Sequence, residues 1–129
     1  MIETLIQNLI AVSLGTMIFF SFIVAPVIFK VLDAVNAGKF IRKIFPLYYT
    51  INLIILSLVV ILFIYNSQIN IEFYLVLILA ILFAFLLFIL MPMINKFKDN
   101  HENKKFDFSH KLSVIINFIQ IIGLIFLLI

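Results

Sequence analysis

Four apolar runs alternate with three short connections in this 129-residue chain, and that alternation leaves few folds open. The runs extend over about residues 5–31, 45–65, 73–94 and 109–129. A helix needs about 20 apolar residues to cross a hydrocarbon layer ~30 Å thick, and each run is long enough. Apolar residues make up 66% of the chain and charged ones only 12%, about half the charged share of a soluble domain. A soluble fold of this size could not cover so much apolar side chain. Strands fit poorly, because an open sheet edge is left unsatisfied in lipid and a barrel needs an alternation these runs lack. The reading is an all-α membrane protein, a single domain over residues 1–129 folded as a four-transmembrane-helix antiparallel bundle.

All 9 Lys and Arg residues fall in two segments. One carries Lys30, Lys39, Arg42 and Lys43, the other Lys96, Lys98, Lys104, Lys105 and Lys111. Successive spans reverse direction, so the first and third connections share a face, which the positive-inside rule makes cytoplasmic. Both termini are then expected outside. The net charge of +3 thereby reads as an orientation signal, and no nucleic-acid partner is expected. Residues 1–4 hold Glu3 and no basic residue, so the first span is expected to insert as an uncleaved anchor. With no cysteine, disulfides and thiolate metal sites are excluded. Asn66–Asn70 reads as a tight outer turn, and Asn95–Phe108 as a polar inner loop long enough to move. Spans one and three both carry a Pro near the inner end, but no internal repeat is evident around them.

Several residue sets stand out within this frame. Ala11, Gly15, Ser21 and Ala25 share one side of the first span, and small residues at such spacing predict a close-packed helix seam, within the chain or between two copies. The third span, nearly pure Leu, Ile and Phe, is expected to face lipid most broadly. Pro26 and Pro92 each remove a backbone donor near a helix end and predict a kink, with freed carbonyls near Phe22 and Phe88. Pro46 would kink any helix that starts near Lys39. Lys39, Arg42 and Lys43 have the spacing of one helical face, with Phe40, Ile41, Ile44 and Phe45 toward lipid, which predicts an interfacial helix held on anionic lipid. His110, Ser113, Asn117 and Gln120 fall on one arc of the fourth span. Polar groups there rarely face lipid, so they are expected to meet Tyr48, Tyr49 and Asn52 of the second span through Tyr–His or Asn–Asn bonds. This set is the candidate polar site, as interhelical glue or as a solute or proton path. His110 is its member that titrates near neutrality, while His101 beside Glu102 reads as a solvated surface residue. Met91, Met93 and His110 would be soft donors for Cu(I) only if the helix unwound between the two methionines; apolar filler is the alternative.

The blocks Phe20-Ser21-Phe22-Ile23-Val24-Ala25-Pro26-Val27-Ile28-Phe29, Ala37-Gly38-Lys39-Phe40 with Ile44-Phe45-Pro46-Leu47-Tyr48-Tyr49, Leu90-Met91-Pro92-Met93-Ile94-Asn95 and His110-Lys111-Leu112-Ser113-Val114-Ile115-Ile116-Asn117 resemble the transmembrane protein 205-like family, in the same order along the chain. That resemblance implies a four-helix bacterial inner-membrane protein of unknown function, with eukaryotic relatives associated with drug and metal resistance. More distantly, the arrangement is similar to the copper-resistance D proteins and the heme-linked protoporphyrinogen oxidases. Members often begin the first helix with a Trp-x-Gly-Gly-like run; here the region reads Leu14-Gly15-Thr16-Met17, and the chain has no Trp.

No residue set specifies a reaction, so an enzyme is not predicted and no cofactor is read from the residues. The function expected is a transport-related or small-solute-binding module whose polar cytoplasmic half contacts a small cationic or amphipathic solute. The alternatives are a heme- or copper-linked redox protein and an accessory subunit of a larger membrane complex. The expected partners are anionic lipids, with a homo-oligomer or larger complex open. The topology is directly testable: a reporter active only in the cytoplasm should work when fused after Asn100 and fail after Ile129, and the reverse pattern would overturn every side assignment.

Overall fold

Within hydrocarbon each backbone N–H and C=O must be satisfied inside its own segment, and the apolar runs accordingly fold into helices. The computed structural model describes all 129 residues. The first long helix comprises α1 (Ile2–Phe19), a π-helical turn (Phe20–Val24) and α2 (Ala25–Val31). The second is α3 (Ala34–Tyr65), unbroken through Pro46. The third comprises α4 (Ile71–Phe85), a second π-helical turn (Leu86–Leu90) and α5 (Met91–Asp99), and the fourth is α6 (Asn103–Leu128). All four are long and apolar enough to cross a membrane. This is a multi-pass membrane protein, and its helices pack as a ring in chain order, with α6 closing against α1.

Local chemistry sets the helix ends. The Asp33 carboxylate accepts from the Asn36 N–H at 2.7 Å and caps α3; the Asn70 side chain does the same for Phe73 at 3.0 Å and caps α4. Ser67 (φ 54°), in the same connection as Asn70, and His101 (φ 56°), in the third connection, take the left-handed conformation. The next N–H folds back onto the helix in each, Gln68 to the Phe63 carbonyl at 2.9 Å and Glu102 to Phe97 at 3.0 Å, which satisfies carbonyls that the helix end would orphan. The connection expected as a long mobile loop over Asn95–Phe108 is therefore only a tight turn at Asn100–Glu102. The helices flanking it are clasped, with the Lys98 ammonium 5.0 Å from the Phe106 ring and that of Lys105 5.8 Å from Phe97.

Both π-helical turns have the same cause. Pro26 and Pro92 cannot donate a backbone hydrogen bond, and the chain widens just before each. The Ala25 N–H reaches five residues back to the Phe20 carbonyl, and the Met91 N–H to that of Leu86. Aligning the two turns exposes an internal repeat that reading the spans separately missed. Phe22, Ile23, Pro26, Ile28, Lys30 and Asp33 of the first helix recur at the same mutual spacing as Phe88, Ile89, Pro92, Ile94, Lys96 and Asp99 of the third. The match continues over the turn, where Lys39-Phe40 is answered by Lys105-Phe106. The first and third helices thus share one pattern around their prolines and run in the same direction, while α3 and α6 differ beyond Phe40 and Phe106.

Two packing expectations are corrected. The third helix, expected to face lipid most broadly, is the most enclosed: 39% of its most apolar stretch is buried against 22% for the first helix. Its Phe73, Val76, Leu79, Phe83 and Leu86 fill the bundle centre. Of the small-residue face of the first helix, the Ala11 and Gly15 half is not an internal seam, whereas Ser21 accepts from Asn117 inside the bundle and Ala25 is partly buried. Ala11 and Gly15 are exposed, and nothing lies within 4 Å of a Cβ placed on Gly15. The helix is instead rotated so that Ile6, Ile10, Ser13 and Met17 point inward, where the Ser13 hydroxyl satisfies the fully buried Asn52 side chain. Close approach occurs at Gly123, where a Cβ would sit 3.1 Å from Leu79 Cδ1. Gly15→Leu should accordingly leave the thermal midpoint in detergent unchanged, whereas Gly123→Leu should lower stability by an overpacking cost of about 1–3 kcal/mol.

Candidate functional site

The polar residues of the bundle interior fall into two small systems. In the first, the Ser13 hydroxyl donates to the Asn52 side-chain carbonyl at 2.7 Å, and the Asn52 amide donates to the Tyr48 backbone carbonyl at 2.9 Å. In the second, the Tyr48 hydroxyl donates to the Asn117 side-chain carbonyl at 2.7 Å, and the Asn117 amide donates to the Ser21 hydroxyl at 2.8 Å. Asn117 thereby joins the first, second and fourth helices at one point. Tyr48 is held from its ring face as well, stacked on Phe20 with centroids 4.1 Å apart.

The arc His110, Ser113, Asn117 and Gln120 divides along its length. Gln120 is fully buried and donates to the Leu79 carbonyl at 3.3 Å, leaving its own Oε1 without a partner. Ser113 spends its hydroxyl on the His110 carbonyl of its own helix at 2.6 Å. His110 is exposed, makes no side-chain hydrogen bond and stacks on Phe106 at 5.8 Å. The cross-helix bond is therefore Tyr48 to Asn117, in place of the Tyr–His or Asn–Asn pairs expected, and Asn52 turns to the first helix. His101 lies exposed in its turn.

Around these residues the helices part to leave a chamber of about 690 Å³, within the ~300–1,000 Å³ of ordinary ligand pockets. It lies at the basic end of the bundle, between the two proline turns. Phe20, Ser21, Phe22 and Pro26 contribute from one repeat, and Leu86 and Met91 from the other. Tyr48, Ser113 and Asn117 form part of its wall. Tyr49 lines it too, 5% exposed, with no hydrogen bond to its hydroxyl. Arg42, Lys98 and His110 are the ionisable groups of the rim. Phe22 and Phe118 meet edge to face at 6.0 Å on the outer side, between the first and fourth helices.

Arg42 corrects part of the interfacial-helix expectation. Lys39 and Lys43 are exposed, but the Arg42 guanidinium turns across the bundle, donating from Nη1 to Asp99 Oδ2 at 3.1 Å and from Nη2 to Oδ1. It therefore ties the two hairpins together at the chamber rim. Ile41 and Phe45, expected toward lipid, line the chamber, while Phe40 stays exposed. Met91 and Met93 point to different places: Met91 lines the chamber with His110, and Met93 lines a separate outer groove. The two thioethers and His110 do not converge. His110 is the one histidine lining the chamber, so its residues do not form a bis-histidine heme site.

A family model described as a domain of unknown function, DUF4149, matches residues 8–103. The chain belongs to that family. The match takes in the first three long helices, both proline turns and the basic turn, and leaves out the part of α6 that carries His110 and Asn117. An uncharacterized protein of Aquifex aeolicus (strain VF5) is 41% identical over 56 residues, 43% of this chain and 42% of that protein. The match therefore spans less than half the length of that relative. No solved structure matches the chain.

If Asn117 is the pivot of the polar network, Asn117→Ala should cost stability in detergent by about 1–2 kcal/mol, the range of interhelical hydrogen bonds in membranes. Combined with Tyr48→Phe, the loss should be less than additive, since both changes break one bond. Full additivity in thermal unfolding would show that the two side chains are not coupled.

Proposed function

We propose that this protein is a small-solute-binding, transport-related module of the bacterial inner membrane, with both termini outside and the chamber open toward the cytoplasm. The observation that carries the reading is the position of the chamber. It lies between the proline turns of the two repeated helices and opens at the end that holds every Lys and Arg. In transporters built from repeats, substrate sites lie at the repeat interface beside interrupted helices. The positive-inside rule supplies the orientation, and the resemblance to the transmembrane protein 205-like family agrees with a bacterial inner-membrane setting. Lys39 and Lys43 remain candidates for contact with anionic lipid. The exposed Ala11 and Gly15 face is available to a second copy or a larger complex.

Because the chain has no cysteine, single substitutions report directly on access. Ala25→Cys and Val114→Cys, both on the chamber wall, should react with a membrane-impermeant thiol reagent supplied from the cytoplasmic face and not from the outer face. Val12→Cys and Ile122→Cys, on the outward apolar surface, should stay unreactive from both. Unreactive chamber positions would overturn the reading, and reaction from the outer face alone would overturn its orientation.

A further inference from the structure

The chemistry of the chamber wall selects among solutes, and this selection rests on the solute-binding reading above. The wall is rich in rings, among them Phe20, Phe22, Phe45, Phe106 and Phe118. Most polar groups of the deep wall are already engaged: Tyr48, Asn117 and Ser21 bond to one another, and Ser113 bonds to its own helix. They present little unsatisfied polarity to a guest. The Tyr49 hydroxyl is different, since it is deep and has no partner. Because the hydroxyl opens onto the chamber, it is free to donate to an acceptor atom of a bound solute.

At the rim the available groups are all basic. Lys98 makes no ion pair and rests over Phe106, while the stacked His110 ring makes no hydrogen bond. Arg42 is engaged by Asp99 but remains on the lining. No Asp or Glu lines the chamber. The wider field has the same sign. The basic end holds all 9 Lys and Arg with Asp33, Asp99, Glu102 and Asp107, while Glu3 and Glu72 lie at the opposite end. A funnel of one sign concentrates ligands of the other. It disfavours a cation.

We propose that the chamber binds an aromatic organic anion: a flat ring body between the Phe and Tyr side chains, its carboxylate or other anionic group at Lys98 and His110, and a hydrogen-bond acceptor toward Tyr49. Ring against ring adds to apolar burial through offset or edge contacts, which a flexible acyl chain does not match. Lys98 and His110 are exposed, so one cationic partner at the rim is worth about threefold in affinity.

The test uses the full chain carrying Val114→Cys in proteoliposomes, with protection from the thiol reagent as the readout. The probes are 2-naphthoate, 2-naphthalenemethanol, 2-naphthylmethylamine and decanoate. 2-Naphthoate should protect at a concentration about threefold or more below each of the others. Adding Lys98→Gln should raise that concentration about threefold without moving the value for the alcohol, and Lys111→Gln, away from the chamber, should change neither. Equal protection by the amine or the alcohol overturns the anionic assignment, and equal protection by decanoate overturns the aromatic one. Normal reactivity with no protection by any probe overturns the ligand class while leaving the open chamber standing. A cysteine that never reacts defeats the solute-binding reading itself.

Discussion

A polar side chain inside a bilayer has no water to turn to, so its partner must come from another helix or from its own backbone. The bond from the Tyr48 hydroxyl to Asn117, relayed to Ser21, is where this constraint organises the fold. Association between apolar helices in lipid lacks the hydrophobic drive that assembles soluble bundles. Leu and Ile pack equally well at many rotations, and lipid tails compete with them on even terms. A three-helix hydrogen-bonded junction admits one rotation of each helix. Ser13 on Asn52 fixes the first helix a second time, two turns further from the proline. With both bonds made, Ile10 and Met17 point inward and Ala11 and Gly15 point out.

The proline turns are the second determinant, and they work with the first. A π-helical turn shifts the face that a helix presents beyond it, so residues after Pro26 and Pro92 follow a different line from those before. On one side of each turn the bundle is tightly packed around Leu56, Val76 and Leu124. On the other side, at the basic end, the helices enclose the chamber. The repeat explains why the opening is bounded in like manner from both hairpins. The repeat is also broken at a useful point: Asp33 caps its own helix, whereas its counterpart Asp99 holds Arg42 of the other hairpin. That exposed pair contributes little stability. Its consequence is geometric, since it sets the distance between hairpins at the rim.

Much of the fold was legible because the membrane simplifies the problem. Length, apolarity and the placement of Lys and Arg suffice for four antiparallel helices, and of the arc on the fourth span Ser113 and Gln120 are buried and Asn117 partly so, while His110 is exposed. Rotation was the harder quantity. Ala11 and Gly15 matched a packing motif, but the motif carries less weight than one buried asparagine needing a partner. The third span read as lipid-facing because it is apolar all round, and such a helix is equally suited to a bundle centre. Loop length was overestimated because the charged residues around Asn95 and Lys104 look like a loop to a hydropathy reading, although they continue helices into water. The repeat was present in the letters and hidden by dividing the chain into spans, since its matched residues straddle a span end. His110 and Tyr49 were within the candidate site, but which hydroxyl and which imidazole lack partners depends on side-chain geometry that spacing does not supply.

Taken with the charge distribution, this geometry gives the bundle a direction. At the end with Glu3 and Glu72, the helices close over an apolar core, and Gln68 in the turn donates to Glu3 at 3.1 Å. At the other end the same four helices carry a ring-lined space under a basic rim. At the open end Lys98, His110 and the Tyr49 hydroxyl line one space without hydrogen-bonding or ion-pair partners. The one fully buried side-chain polar atom without a partner, Gln120 Oε1, lies away from the chamber and bears its cost as packing alone. Lys98, His110 and Tyr49 differ in opening onto a shared space, and it is on that shared lining that the proposed site for a guest rests.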